Sequence, residues 1–241
     1  MLLLLSDIHG NMEALTSVLE YAEKTYEIDA CAVLGDLIDY GMHSNEVIRR
    51  MEKLPYPILC NIYGNHEQAI VCGEYTRFSS DRGRDCAKYT RDNLDEHSRE
   101  YLQVSMEPSG RAEFVWQGKK CLAVHGSMQD MCWGKPDFSD SMEEYRDYDY
   151  VFTGHSHIPH FMEKYYPIDN PLSRNRKKTI FINPGSVGQP RNLNNHAQFA
   201  VLDVENEKVV MEKVSYDIAK EQTEYRGQVD DFYRERLERG V

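Results

Sequence analysis

Over residues 1 to 65 the chain alternates short, wholly apolar runs with stretches in which apolar residues recur at helical spacing, and this alternation constrains the fold more than any other feature. Leu2 to Leu5, Ala30 to Leu34 and Pro57 to Tyr63 read as buried strands. Between them, Asn11 to Lys24 carries Met12, Leu15, Val18, Leu19 and Ala22 on one helical face, and Ser44 to Lys53 forms a second helix. A β-α-β-α-β opening implies a parallel sheet with helices against it. Sheets of this kind collect ligands beyond the carboxyl ends of their strands. Asp7, Asp36 and Asn65 each stand just past such an end.

The remainder of the chain adds mostly strands. Arg82 to Val104 predicts two charged surface helices, read as a cap or lid over the site. Ala112 to Trp116 and Lys119 to Val124 form a hairpin around Gln117-Gly118. Asp137 to Asp149 is acidic and aromatic and reads as helix and loop, and Asp149 to Thr153 as a strand. His160 to Tyr165 and Thr179 to Ile182 flank an exposed hairpin tip at Tyr166 to Lys178. Two last strands, Ala197 to Val204 and Val209 to Tyr216, precede one charged helix from Ile218 to Arg239. With no internal repeat and no low-complexity linker, residues 1–241 read as a single α/β domain, two sheets in a sandwich flanked by helices.

Charge and cysteine usage exclude some functions. A net charge of -12 disfavours duplex nucleic acid as a partner, because phosphate binding to a duplex draws on Lys and Arg. Leu2 to Leu5 has no basic residue before it and is cut short by Asp7 and His9, so it reads as a strand and not as a signal peptide. No apolar run is long enough to span a bilayer, so no membrane partner is expected. The 6 cysteines lack CxxC spacing, and Cys31, Cys60 and Cys121 lie inside apolar runs, as reduced core thiols do. A cytoplasmic protein is the expectation.

Five segments place Asp, Asn or His at equivalent strand ends: Asp7-Ile8-His9, Gly35-Asp36, Gly64-Asn65-His66-Glu67, His125-Gly126 and Gly154-His155-Ser156-His157. Taken singly, each has a plain structural reading as a turn, a helix cap or a solvated loop. Together they offer the carboxylate oxygen and imidazole nitrogen that divalent ions take, and two ions about 3.5 to 4 Å apart need a shared carboxylate. Asp36 is the natural bridge. Asp7 and His9 reach one ion, His155 and His157 serve one ion each, Asn65 offers a neutral amide oxygen, and His125 completes the second ion's shell. His43, His97, His160 and His196 lack this context and read as ordinary polar residues.

These ordered blocks, D-x-H, G-D, G-N-H-[ED], H and G-H-x-H, resemble the calcineurin-like metallophosphoesterase superfamily over nearly the whole chain. With Ile182-Asn183-Pro184-Gly185-Ser186-Val187-Gly188 near the end, the chain looks most like the small prokaryotic phosphodiesterase branch. The resemblance implies a four-layer α-β-β-α sandwich. It also implies that Asp7, His9, Asp36 and His157 bind a first metal, and Asp36, Asn65, His125 and His155 a second. Manganese leads among the candidate ions, with iron, zinc, nickel and cobalt also suited to the mixed oxygen and nitrogen ligands.

The activity that follows is hydrolysis of a phosphodiester or phosphomonoester by in-line attack of a metal-bridging hydroxide. His66, adjacent to a ligand without being one, is assigned as general acid or electrostatic stabiliser. One departure bears on the substrate. Relatives reading G-D-x-x-D-R-G clamp phosphate with the Arg, whereas here the segment is Gly35-Asp36-Leu37-Ile38-Asp39-Tyr40-Gly41, which weakens a phosphoprotein phosphatase reading. Arg191 and Asn11 are the candidate substrate contacts, with a surface Arg and a helix cap as their structural alternatives.

Two other readings stay open. One is a nucleotide or dinucleoside polyphosphate hydrolase with a base-binding wall drawn from Tyr75, Phe78, Tyr89, Trp133 or Phe138. The other is a non-catalytic scaffold, as in the retromer subunit that resembles these enzymes. The oligomeric state, including a homo-oligomer, is open as well.

Overall fold

The computed structural model describes residues 1–241. Ten strands make two five-stranded sheets. In the first, β1 (Leu2–Leu5), β2 (Ala30–Val33) and β3 (Ile58–Asn61) run parallel, with β9 (Ala197–Asp203) and β10 (Lys208–Val214) added antiparallel beside β1. The second contains β4 (Arg111–Trp116), β5 (Lys119–Val124), β6 (Tyr150–Thr153), β7 (His160–Pro167) and β8 (Arg176–Asn183) in the order β4-β5-β6-β8-β7. Its central strands β5, β6 and β8 are parallel, and the antiparallel strands lie at its edges.

Strand alternation explains why such short runs are apolar on both faces. Leu2 and Leu4 of β1, Ala30 and Ala32 of β2, Cys121 and Ala123 of β5, and Ile180 and Ile182 of β8 share one buried cluster between the sheets. Leu3, Leu5, Cys31 and Val33, offset by one residue, join the helix-side cluster with Leu15, Val18 and Leu19. A strand with period 2 feeds two cores at once.

The helices against the first sheet include α1 (Met12–Thr25), α2 (Ser44–Met51), α3 (Asn65–Cys72), α4 (Asp81–Asn93) and α5 (Glu96–Val104). The stretch expected as two helices over 82–104 is α4 and α5, divided at Leu94 where Asp95 begins to cap α5 by accepting from Ser98. Ala87, Leu94, Tyr101 and Leu102 are buried with the first sheet's helices, so α4 and α5 are built into the domain core.

Three expectations need correction. The Asp137 to Asp149 stretch holds only one 3-10 turn, Glu143–Tyr145, so irregular chain covers the second sheet's outer face. Met142, Tyr145 and Tyr148, three residues apart about that turn, pack there on Leu122, Val151 and Phe181. The hairpin tip is shorter than expected. Tyr166 lies within β7, buried, and its hydroxyl donates to the Met142 carbonyl at 2.8 Å. The single C-terminal helix is two, α6 (Ile218–Gln222) and α7 (Phe232–Arg239), separated by a turn containing Gly227 at φ 85°. That break lets Tyr233 and Leu237 of α7 pack with Tyr40.

Candidate metal centre

The parallel strands of both sheets deliver their carboxyl ends to one edge of the sandwich, where their loops are laced together by backbone hydrogen bonds. Asp7 N–H donates to Gly35 O at 3.0 Å, His9 N–H to Asp36 O at 2.9 Å, and Gly154 N–H to His125 O at 2.9 Å. Gly188 N–H closes the ring on Asp7 O at 3.0 Å. The buried Glu67 carboxylate accepts from the N–H groups of Asp36, Leu37, Ile38 and Gly64, at 2.8, 2.7, 3.2 and 2.8 Å, and so fixes the loop that carries Asp36.

Strain accompanies this lacing. Asp7, His9, Asp36, Asp39, Tyr40, His155 and His157 all have left-handed φ values between 49° and 74°. Such a conformation costs a residue with a side chain about 1 to 2 kcal/mol. The surrounding bonds must over-determine it. Space is equally tight at Gly64, where an added Cβ would overlap the Asp36 carboxylate.

Within this frame, ligand atoms converge. Those of Asp7, His9, Asp36 and His157, all buried, lie within 4.8 Å of one another. His157 Nε2 is 3.1 Å from Asp7 Oδ1, and His9 Nε2 is 3.7 Å from Asp36 Oδ2. Beside them, His125 Nε2 lies 3.3 Å from Asp36 Oδ2 and 3.2 Å from Asn65 Oδ1, and His155 Nδ1 is 2.8 Å from that same amide oxygen. Asp36 is common to both groups.

The donor set fits cations. The Nδ1 atoms of His9, His125 and His157 face the carbonyls of Ile38, Leu34 and Gln189, at 3.2, 2.6 and 2.5 Å. Donation there leaves each Nε2 as a lone pair aimed inward, the usual way a second partner orients a metal-binding imidazole. Two such nitrogens, His9 Nε2 and His157 Nε2, then face each other at 3.2 Å. Asp7 Oδ1 and Asp36 Oδ2 are buried with no hydrogen-bond partner. Buried acceptors left this way are costly unless a positive charge lies between them.

Protonation states follow the same logic. Burial, with His66 nearby, lowers His9 well below the ordinary histidine value, and burial with Arg191 does the same to His157. Burial alone would raise Asp36, yet His125 and His66 outweigh it and hold the carboxyl well below the usual range. Two groups depart from this pattern: burial raises the Asp7 carboxyl, and His125, which burial lowers, is pushed up to about 9 by the Asp36 carboxylate. Were His125 to ligate an ion, it would have to displace a proton below that pH, and affinity for that ion should weaken about tenfold per unit of acidification. Calorimetry at pH 7.5 in buffers of different ionisation enthalpy should find about one proton released per second ion bound; no release would mean that His125 enters ligation neutral.

His66 sits beside the ligands, its ring 4.7 Å from that of His9. Its backbone N–H donates to Asp36 Oδ1 at 2.9 Å, and its Nδ1 lies 2.6 Å from Asp39 Oδ2. Asp39 Oδ1 accepts from Thr90 of α4 at 2.6 Å. Burial works against the imidazolium, but Asp36 and the Asp39 hydrogen bond outweigh it and raise the His66 pKa. Asp39 and Thr90, with Glu67 and Ser6, are the supporting residues that sequence reasoning gave no role. Ser6 Oγ donates to Asp7 Oδ2 at 2.5 Å. Acidic residues at motif positions three apart, Asp36 and Asp39, were the available signal for one of them.

Asn11 does not reach the centre as a free contact. Its Oδ1 caps α1 by accepting from Ala14 at 3.0 Å, and its Nδ2 donates to Gly188 O and Tyr216 Oη at 3.0 and 3.2 Å. Both amide hydrogens are engaged, and the helix-cap role is the one its bonds display. Arg191 does lie at the site. Its N–H donates to His157 O at 3.3 Å and its Nε is buried without a partner. Of the aromatic candidates, Phe78 lies 5.0 Å from His66 and Trp133 5.3 Å from Phe78. Phe138 packs on Phe181 instead, and Tyr75 reaches Arg91.

Comparison with known proteins agrees with this geometry. The calcineurin-like phosphoesterase superfamily domain matches residues 1–207. An uncharacterized protein of Methanocaldococcus jannaschii is 30% identical over 226 residues, 91% of this chain and 89% of its own length. Among solved structures, a metallophosphoesterase from Sphaerobacter thermophilus is 25% identical with a TM-score of 0.76, covering 100% of this chain and 99% of its own. A hypothetical protein from Pyrococcus horikoshii OT3, 22% identical, shares the fold at a TM-score of 0.77 with coverage of 100% and 99%. With its strand-end carboxylates and imidazoles gathered at one sheet edge, the chain belongs to the calcineurin-like phosphoesterase superfamily and is a metal-dependent phosphoester hydrolase.

Proposed function

We propose that the protein hydrolyses a small phosphodiester or phosphomonoester at a two-metal centre, with manganese the first ion to test among manganese, iron, zinc, nickel and cobalt. The observation that carries this reading is the pair of orphaned carboxylate oxygens, Asp7 Oδ1 and Asp36 Oδ2, facing inward-aimed imidazole nitrogens. Asp7, His9, Asp36 and His157 would hold one ion, and Asp36, Asn65, His125 and His155 the other. When bound, such a pair supplies a hydroxide nucleophile near neutral pH and neutralises charge on the phosphoryl oxygens.

The chain's own residues do the rest. Asp39 engages His66 Nδ1, so the opposite ring nitrogen is left to donate a proton to the leaving-group oxygen. Against burial, Asp36 and the Asp39 hydrogen bond raise its pKa, which favours the protonated ring. Phe78 and Trp133 line the same region and favour a second reading, in which the leaving group carries a nucleobase. The 6 free cysteines suit a reducing, cytoplasmic setting, and no helix is long and apolar enough to cross a membrane.

Protein purified without chelator should contain about two divalent ions per chain by elemental analysis. With Mn²⁺ present it should turn over bis-p-nitrophenyl phosphate or p-nitrophenyl phosphate, and cyclic nucleotides and dinucleoside polyphosphates complete the panel. Metals bound but silence on every member would favour the interaction scaffold.

A further inference from the structure

Helices α6 and α7 lie beyond the residues that the family domain matches, yet they pack against a loop of the centre itself. The Tyr40 ring lies 4.6 Å from that of His9 and 4.4 Å from that of His66. It also stacks on Tyr233 of α7 at 4.6 Å and 19°. Tyr225, Tyr233 and Leu237 are buried with Tyr40 and with Cys86 of α4 in a small cluster apart from the main core. Asp39 and Tyr40 have left-handed φ values of 74° and 63°, so the turn they form depends on support from outside it. Asp39 in turn holds His66, with its Oδ2 2.6 Å from Nδ1 of the ring.

The fastening of these helices is polar. Glu221 of α6 is fully buried, and its Oε1 lies 3.5 Å from Nδ1 of His43, at the end of the same loop. Neither atom has any other partner. Glu221 Oε2 accepts from the Glu13 N–H at 3.4 Å, in the first turn of α1, and His43 N–H donates to Gly10 O at 3.0 Å. Gln222 Nε2 donates to Arg234 O at 3.0 Å, so a hold on α6 bears on α7 as well. Lys220 is occupied by Glu13 at 2.7 Å. A buried carboxylate is costly without a cation, and His43 supplies one when protonated. The Glu221 hydrogen bond raises the His43 pKa against partial burial, with Glu46 of α2 and Glu224 adding to it. The contact is therefore at full strength below the ordinary histidine value and is lost as the pH rises through the raised one.

Resting on the phosphoesterase reading, we propose that α6 and α7 brace the centre: Tyr233 is a positioning residue that holds the Asp39–Tyr40 turn against His66, and the His43–Glu221 pair fastens the brace. The brace tightens in mild acid and loosens in alkali. It touches neither substrate nor metal ligand through Tyr233 itself, and acts only by way of the Tyr40 ring.

The first arm of the test needs no substrate. Hydrogen exchange of the full chain with Mn²⁺ in excess, corrected for intrinsic rates, is read by mass spectrometry over α6 and α7. At pH 6, Glu221→Gln and His43→Gln should each speed exchange there about tenfold or more, the scale of a lost hydrogen bond to a charged group. As the pH rises, the wild type should approach both variants. Exchange with the same rate and pH dependence in all three proteins overturns the fastener. In the second arm, Tyr233→Ala should keep the metal content and lower kcat on an alkyl phosphodiester about tenfold, a fraction of full general-acid loss. The loss on bis-p-nitrophenyl phosphate should be smaller, and Tyr233→Phe, which retains the ring, should restore both. Equal losses on the two substrates, or none, overturn the brace. Should Tyr233→Ala fail to fold, Tyr233→Leu is read by the same ratio. Absence of any wild-type turnover of bis-p-nitrophenyl phosphate removes the phosphoesterase reading, whereas turnover with unaltered exchange and kinetics in the variants removes only the brace.

Discussion

On the proposed two-metal reading, Asp36→Asn should cost bound metal and about 10³-fold or more of turnover, on the scale of disrupting a directly coordinating ligand whose supporting partners alone are worth 10- to 100-fold in affinity. The substitution is nearly isosteric, so the fold should survive. Asp36 Oδ1 accepts from the His66 backbone, which an amide oxygen can still do, and Oδ2 is the orphaned atom 3.3 Å from His125. Replacing that oxygen by an NH₂ group points a donor at the place where two cations would sit. Removing the negative charge also withdraws the main support for the raised His125 pKa, so the imidazole should titrate closer to its ordinary range. Elemental analysis, activity and an NMR titration of His125 read the three effects separately. Two ions retained at full occupancy would sink the bridging assignment.

His66→Ala should act differently. Metal content should stay at the wild-type level while turnover falls about 10²-fold or more, the scale of general acid loss. The reason is positional: His66 Nδ1 is taken by Asp39, and His66 is not among the clustered residues that could hold an ion. Asp39→Asn should reproduce part of the loss through the proton's pKa. Without the carboxylate the imidazolium is less favoured, so the alkaline limb of the kcat profile should move to lower pH. An activated substrate such as bis-p-nitrophenyl phosphate, whose leaving group needs little protonation, should feel both substitutions less than an alkyl ester. Equal losses on the two substrates would leave His66 with an electrostatic role only.

Much of this was legible in the sequence because both the core and the site depend on residue types that are costly elsewhere. Leu2 to Leu5 can be apolar throughout only if both strand faces are covered. Asp and His at the ends of such strands are buried, which demands a counter-charge. The parts that resisted reading are held by contacts with no local period. Tyr145 and Met142 cover the second sheet from a single 3-10 turn in otherwise irregular chain, too short for its spacing to stand out. The split between α6 and α7 turns on Gly227 and on Tyr233 meeting Tyr40 across almost the whole length of the chain. Asn11 looked equally able to cap or to bind, and its bonds to Gly188 and Tyr216, remote in sequence, could not be read from local spacing. Asp39 and Thr90 meet by the same kind of long-range packing.

The ligands also have a mechanical meaning. Asp7, His9, Asp36 and Asn65 hang from the first sheet, and His125, His155 and His157 from the second. Ions bound among them would clasp the two leaves of the sandwich at one rim, a load-sharing rivet across an interface otherwise held by apolar packing. A change that loosens the seam between Leu2, Leu4 and Phe152 would then be felt at the rim as slack in the coordination.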